Sequence, residues 1–402
     1  MSRGVLLIGN YPPPYGGVPR VIENLAPFLA QRGWDVHVLS MGRSGIERRP
    51  GVTVYKLPLA AKLPLVLRHA VGLRRAPLGI RVRSRRDLVL RAWFRVLASV
   101  GREIVKRHRI DVICGFNLSR GGLVGAALAQ ERGLPLVVNN FGELLSSETF
   151  FRSNPWLLPF VVGQANRLVS GSRHCAESYR RFGLSPAVEV IPYGVDATRF
   201  RPTVDGNAMR VRLGAEADDV VVLYLGRLVR DMGLHTLLAA APALRESGVP
   251  IRLVIAGAAG PLSGDAHALA ERSGGRVVVL ENVPNDELPS LYAATDLVVV
   301  PTIGDRACSS LAAAEGLATG RPVVATRVGG IPEVVHDGET GMLIPPDDAR
   351  ALAEAVLALA ADPARRRTLG ARGRAWAESE WDSRVVLGRM ADVLAEVAEN
   401  PA

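Results

Sequence analysis

Short runs rich in Val, Ile and Leu alternate with helix-period segments along all 402 residues, and no other feature of this chain restricts its fold as much. Strand, helix and strand in that order close most readily as parallel pairs joined by right-handed crossovers. The strand-like runs of the first half are 5–9, 36–40, 52–57, 111–115, 135–139, 167–170 and 188–191. Those of the second half are 220–225, 251–256, 277–280, 297–301, 322–325 and 342–344. A chain of this length exceeds the roughly 250–300 residues at which a single core stops growing. The reading is an α/β protein of two doubly wound, Rossmann-like domains, residues 1–195 and 196–381. Residues 196–217, with Arg201-Pro202 and a polar interior, are the best linker, and a last helix is predicted from about Asp382 to Glu399.

Hydrophobic residues at 48% and charged residues at 22% describe an ordinary globular chain and exclude extended disorder. Cys114, Cys175 and Cys308 are odd in number and widely spaced, with no CxxC. That pattern argues against a disulfide framework or a structural zinc site and fits a reducing cytosol. The opening MSRGVLLIGNYPPPYGG has an apolar run too short for a signal peptide, and no run approaches membrane-spanning length, so a cytoplasmic protein is expected.

The net charge of +10 is concentrated. Residues 68–109 hold 13 Lys and Arg against 2 Asp and Glu, which leaves 36 against 37 elsewhere. Within that region Arg91, Arg95, Arg102, Lys106 and Arg109 recur at helical spacing opposite Leu90, Trp93, Leu97, Val100 and Ile104. An amphipathic basic helix follows. Its polar side is either a solvated face or a docking face for an anionic membrane surface. Nucleic acid is not expected as a partner, because no recognition motif accompanies the charge.

Ligands of doubly wound sheets sit beyond the carboxyl ends of the strands, and the chemistry-bearing residues of this chain fall there. Cys308-Ser309-Ser310 precedes an Ala-rich helical run, so the N–H groups of Ser309, Ser310 and Leu311 face an anion at the helix start. Glu315 lies about two turns into that run among small apolar residues, where a carboxylate needs a partner. The partner is a ribose diol if the helix faces a nucleotide, and solvent if Glu315 is a surface residue of an amphipathic helix. Gly226-Arg227 follows the strand 220–225, where a guanidinium can grip two phosphate oxygens or form an interdomain salt bridge. Gly16-Gly17 follows the first strand and precedes a helix, and paired glycines let a backbone approach a ligand closely. Neither GxGxxG nor GxxxxGK[ST] is present, which disfavours a standard dinucleotide site or P-loop. Ser172 is a candidate helix cap with Arg173 beside it, either facing the ligand or exposed, and Asn282-Val283-Pro284 is a turn at a strand end.

Together these segments resemble the retaining glycosyltransferases of family 4, with the GT-B fold. The likeness is carried by Pro301-Thr302, by Glu315-Gly316-Leu317-Ala318-Thr319-Gly320-Arg321-Pro322 with Val323 and Val324, and by Gly329-Gly330-Ile331-Pro332-Glu333-Val334 with Asp337-Gly338. It is extended by Tyr11-Pro12-Pro13-Pro14-Tyr15-Gly16-Gly17-Val18, by Ile191-Pro192-Tyr193-Gly194-Val195-Asp196 and by Gly226-Arg227-Leu228 with Gly233.

This resemblance implies two Rossmann-like domains with a cleft between them, and a C-terminal helix, about 382–402, that packs back on the first. It implies a donor that is a UDP-, GDP- or ADP-sugar, an acceptor that is a glycan or lipid-linked hydroxyl, and transfer without a metal or other cofactor. It also implies work on the cytosolic face of a membrane. Arg227 and Glu315 are the implied catalytic contacts in the donor domain; Asn282 and Val283 would hold the nucleobase. The segment Phe141-Gly142-Glu143 occupies the place of the family's catalytic histidine, which aligns with Phe141. Two further positions depart from the pattern: the lysine that neutralises the diphosphate is Met232 here, and the glutamate eight residues before Glu315 is Ala307.

Overall fold

The computed structural model describes residues 2–12, 17–41, 45–57 and 85–400. The chain divides into two compact units, one of residues 1–191 with 387–402 and one of residues 192–386. The division falls before Val195 because that residue is tied to the end of the second unit: its N–H donates to Trp381 O at 2.7 Å and its carbonyl accepts from Ser383 N at 2.8 Å.

Among its described residues the first unit holds eight strands: β1 (Gly4–Ile8), β2 (Asp35–Met41), β3 (Gly45–Arg49), β4 (Val52–Leu57), β5 (Val112–Phe116), β6 (Leu136–Asn140), β7 (Arg167–Ser170) and β8 (Val188–Val190). They form one sheet in the order β3-β4-β2-β1-β5-β6-β7-β8, parallel except for β3, which runs antiparallel to β4. All five residues of β1, of β5 and of β6 are buried, as expected of central strands covered on both faces. Leu6, Ile8, Ile113 and Val138 share one core with Leu97, Ile104 and Leu128 from the helices. The final helix, Ser383–Glu399, contributes the buried Met390, Val393, Leu394 and Val397, and its Glu396 pairs with Arg167 at 2.7 Å.

The second unit holds β9 (Val220–Leu225), β10 (Ile251–Gly257), β11 (Val277–Glu281), β12 (Leu297–Val300), β13 (Val323–Thr326) and β14 (Gly341–Ile344). These form an all-parallel sheet in the order β11-β10-β9-β12-β13-β14. Strand order reverses direction between β9 and β12 here and between β1 and β5 in the first unit. Such switch points open a crevice at the carboxyl ends of the strands, where the two connecting segments leave in opposite directions. The expected linker contains a short helix, Asn207–Arg212, and belongs wholly to this unit.

The basic amphipathic segment is a helix, Arg85–Arg107, with Leu97 and Ile104 buried on its apolar side. Its described cations are not a bare face. Arg102 pairs with Glu131 at 2.5 Å, Lys106 and Arg107 lie 3.4 and 3.7 Å from Glu103, and Arg109 pairs with Asp111 at 2.9 Å. The rest of that basic stretch, 68–84, lies outside the described residues, as does Gly16.

Candidate functional site

In the second unit, the loops after β9, β11, β12 and β13 emerge on one edge of the sheet. The loop after β9 is fixed by its backbone: Gly226 N–H donates to Ala256 O at 3.0 Å, Leu228 N–H to Ala258 O at 2.9 Å, and the Tyr224 hydroxyl to Arg227 O at 2.8 Å. Leu228 is fully buried beneath it. Arg227 is exposed, and its guanidinium has no hydrogen bond or ion pair among the described residues of its own unit. Met232 closes a 3₁₀ turn and packs against the core, which leaves no cation at the place of the family's lysine. Arg230 is drawn away, 4.0 Å from Asp347. Gly233 then starts the helix Leu234–Glu246 at φ 74°, with a Cβ position only 1.7 Å from Pro301 O, so no other residue fits between this loop and the end of β12.

The loop after β12 ends at the helix Leu311–Ala318. Ser310 is its N-cap, accepting from Ala313 N at 3.2 Å. The N–H groups of Ser309, Ser310 and Leu311 have no partner among the described residues, and neither has the buried hydroxyl of Ser309. The loop is held from the β13 side, where Gly330 N–H donates to Ala307 O at 2.8 Å. Gly329 makes that approach possible: at φ 55°, its Cβ would stand 2.2 Å from the same carbonyl. Ala307 thus acts through its backbone while its methyl packs on the core.

Glu315 is 6% exposed, which removes the surface-residue alternative. Its Oε2 accepts from the Tyr292 hydroxyl at 3.0 Å, and that hydroxyl also lies 3.1 Å from Ala312 O. Burial, with the Glu315 charge beside it, pushes the Tyr292 hydroxyl well above its ordinary pKa, so it stays a neutral donor. Tyr292 was not legible as a site residue, since it lies 23 positions before its partner with no motif around it. Asn282 sits at φ 56° with its N–H on Gly257 O at 2.7 Å, and Val283 packs on the core beside it.

In the first unit, Phe141, Gly142 and Glu143 follow β6. The expectation that Glu143 meets substrate is corrected here. It is 8% exposed, and both carboxylate oxygens are turned into the fold: Oε1 accepts from Leu118 N at 3.1 Å and Oε2 from Phe141 N at 2.7 Å. Glu143 is therefore a positioning residue that fastens the loop after β6 to the one after β5. Desolvation raises its pKa to about 7, against the opposing pull of those N–H groups. Phe141 is half-buried with its ring 6.1 Å from Phe116, and it cannot transfer a proton. Gly142, at φ 90°, donates to Asn140 Oδ1 at 2.9 Å; Asn140 in turn donates to Cys175 O at 3.2 Å. Asn140 is a second clamp missed in the sequence. Gly17 begins the helix Gly17–Gln31 after β1. Ser172 caps the turn Arg173–Glu177, accepting from Cys175 N at 3.1 Å, and leaves Arg173 exposed.

A backbone-lined anion site, an exposed guanidinium and a buried carboxylate on one sheet edge suit a nucleoside diphosphate. Comparison with known proteins agrees with this chemistry. Residues 219–362 match the family described as glycosyl transferases group 1, and residues 15–199 match glycosyltransferase family 4. The D-inositol 3-phosphate glycosyltransferase 1 of Catenulispora acidiphila is 30% identical over 375 residues, 86% of this chain and 88% of that protein. The GDP-mannose-dependent alpha-(1-6)-phosphatidylinositol monomannoside mannosyltransferase of Mycolicibacterium smegmatis is 39% identical over 221 residues. That match spans 53% of this chain and just over half of the relative, 57%. Sucrose-phosphate synthase of Thermosynechococcus elongatus superposes with a TM-score of 0.74 at 24% identity, over 98% of this chain and 99% of that one, a likeness that shows the fold to be GT-B. On these findings the chain belongs to glycosyltransferase family 4, a family of sugar-transferring enzymes.

Proposed function

We propose that this protein transfers a sugar, with retention of configuration, from a nucleoside-diphosphate sugar to a hydroxyl of a glycan, glycolipid or lipid-linked acceptor. The observation that carries the reading is the pairing of the exposed Arg227 guanidinium with the unpartnered N–H groups of Ser309, Ser310 and Leu311 on either side of the β9/β12 switch point. Negative charge grows on the leaving diphosphate as the glycosidic bond breaks. Preorganised donors of this kind stabilise it by about 3 kcal/mol each. Glu315 accepts from the ribose hydroxyls, and Asn282 with Val283 borders the base. Phe141 offers no base for the acceptor, so deprotonation falls to the leaving phosphate, and no step calls for a metal.

The inositol acceptors named for the two relatives make inositol-bearing phosphates the first acceptors to try. A UDP-, GDP- or ADP-sugar is the donor, with GDP-mannose the first candidate by the same comparison. Work at an anionic membrane surface through residues 68–109 belongs to the same reading, and no helix among the described residues is long and apolar enough to cross a membrane.

Met232, Ala307 and Phe141 support a second reading, a nucleotide-sugar-binding partner without turnover of its own. A thermal-shift screen against UDP, GDP, ADP and their sugar conjugates, followed by donor hydrolysis, separates the two, because a ligand held only by the native state raises Tm. A shift with slow hydrolysis supports the transferase. A shift without turnover, persisting with acceptors added, supports the partner, and no shift with any nucleotide refutes both.

A further inference from the structure

At the amino-terminal end of the eight-stranded sheet, away from the loops that follow β5 and β6, three metal-ligating side chains meet. Asp35 and His37 stand two residues apart on β2 and so share a face. His108 follows the helix Arg85–Arg107. His37 Nε2 lies 3.1 Å from Asp35 Oδ2, and the two imidazole centroids are 4.1 Å apart. One ligand atom from each of the three residues lies within 4.8 Å of the others. The Tyr55 hydroxyl on β4 is 3.1 Å from His108 Nε2 and 3.4 Å from His37 Nδ1. His37 is only 1% exposed, whereas the Asp35 side chain is half exposed, so the cluster has a buried wall and an open mouth. Beside it a crevice of about 270 Å³ is lined by Thr53, Tyr55, Ile104 and His108.

We propose that Asp35, His37 and His108 bind a divalent transition-metal ion, with zinc as the representative, independently of sugar transfer. Two imidazoles and one carboxylate form a donor set suited to zinc, which bonds nitrogen and carboxylate oxygen at about 2.0–2.2 Å. Tetrahedral bonds of that length place ligand atoms roughly 3.4 Å apart. Asp35 and His37 are already near that spacing at 3.1 Å, and His108, whose ligand atom lies within 4.8 Å of both, completes the set by a side-chain shift. Tyr55 would orient both rings as an outer partner. The ion would clip the end of the basic helix to β2, so it would add stability to the first unit without touching the donor or acceptor edges.

The test is a titration of the metal-stripped full chain with Zn²⁺ in competition with a chromophoric chelator, alongside Asp35→Asn, His108→Ala and Tyr55→Phe. Asp35 and His108 are not fully buried, so their variants keep the fold, which circular dichroism checks. One zinc per chain is expected for the native protein, with affinity reduced at least about tenfold in the Asp35 and His108 variants, and a smaller loss for Tyr55→Phe. A rise in Tm on adding zinc to the native chain, absent in His108→Ala, is the second readout. No zinc held by the native chain, or equal uptake by all four proteins, would mean an ordinary hydrogen-bonded cluster with adventitious ions only and would overturn the proposal.

Discussion

Replacing Glu143 by Gln separates a positioning carboxylate from one that exchanges protons with substrate. Burial holds the Glu143 carboxyl at about 7 in the folded chain against 4.5 as its ordinary value. A tenfold change in proton affinity corresponds to about 1.4 kcal/mol, so ionising this group in the fold disfavours the native state by roughly 3 kcal/mol at alkaline pH. The sign follows from the raised value. The folded chain keeps a proton that the unfolded chain has already released, so the contribution is complete below pH 4.5, declines as pH rises through about 7 and is flat above it. About 2 kcal/mol of that decline falls between pH 5 and pH 8.

Glu143→Gln keeps the shape and does not titrate, but its amide NH₂ faces one of the two backbone donors, Leu118 N or Phe141 N. That mismatch costs about 1–3 kcal/mol at every pH. Urea unfolding at pH 5, 6, 7 and 8, on native and variant chains, should therefore show the native advantage shrinking by about 2 kcal/mol across the series. A difference constant to within about 0.5 kcal/mol would refute the burial argument. If the variant also lost all transfer while binding donor normally, Glu143 would have to be returned to the reacting groups.

Glu315→Gln should weaken nucleotide-sugar binding about tenfold by calorimetry with little loss of stability, because the Tyr292 hydroxyl retains Ala312 O as an acceptor; unchanged affinity would remove Glu315 from the site. Arg227→Lys keeps the charge but loses the planar fork, so nucleoside diphosphate affinity should fall about tenfold while the affinity for the free nucleoside stays the same. Replacing both Lys106 and Arg107 with Gln should weaken binding to anionic phospholipid vesicles, read by sedimentation, by roughly thirtyfold, at about 1 kcal/mol per cation. If Glu103 already neutralises them, as their spacing of 3.4 and 3.7 Å allows, sedimentation will not change and the docking face must lie elsewhere.

The strands were legible because parallel strands buried on both faces are continuous apolar runs, and β1, β5 and β6 are of this kind. The exception, β3, reads Gly-Ile-Glu-Arg-Arg, an exposed edge strand that pairs antiparallel with β4, so neither a run nor an alternation announces it. The candidate site was legible where one loop suffices: Ser310 as a cap and Arg227 at a strand end are local properties. It was not legible where the deciding contact is remote in sequence. Glu143 is turned inward by Leu118, 25 residues earlier, and Glu315 meets Tyr292 from a different helix. A carboxylate beside a family catalytic position looks the same in sequence whether it faces ligand or core.

The three departures from the family pattern share a physical feature that bears on rate. At each, the loop is held by backbone or packing that the substituted side chain does not disturb: Ala307 by its carbonyl on Gly330 N, Met232 by the core, and Phe141 by its N–H on Glu143 and its ring near Phe116. Geometry is thereby uncoupled from side-chain chemistry, and the donor edge can keep its shape after losing a cation. The cost then falls on electrostatics alone. On the proposed reading, a donor diphosphate would be left with Arg227 and the amides at the start of the helix Leu311–Ala318. Restoring the second cation with Met232→Lys should therefore tighten diphosphate binding most at low salt, by about 1–2 kcal/mol, a gain that fades as ionic strength rises. Tightening that ignores salt would mean that the new side chain acts by packing, and that the missing lysine is not what limits the native site.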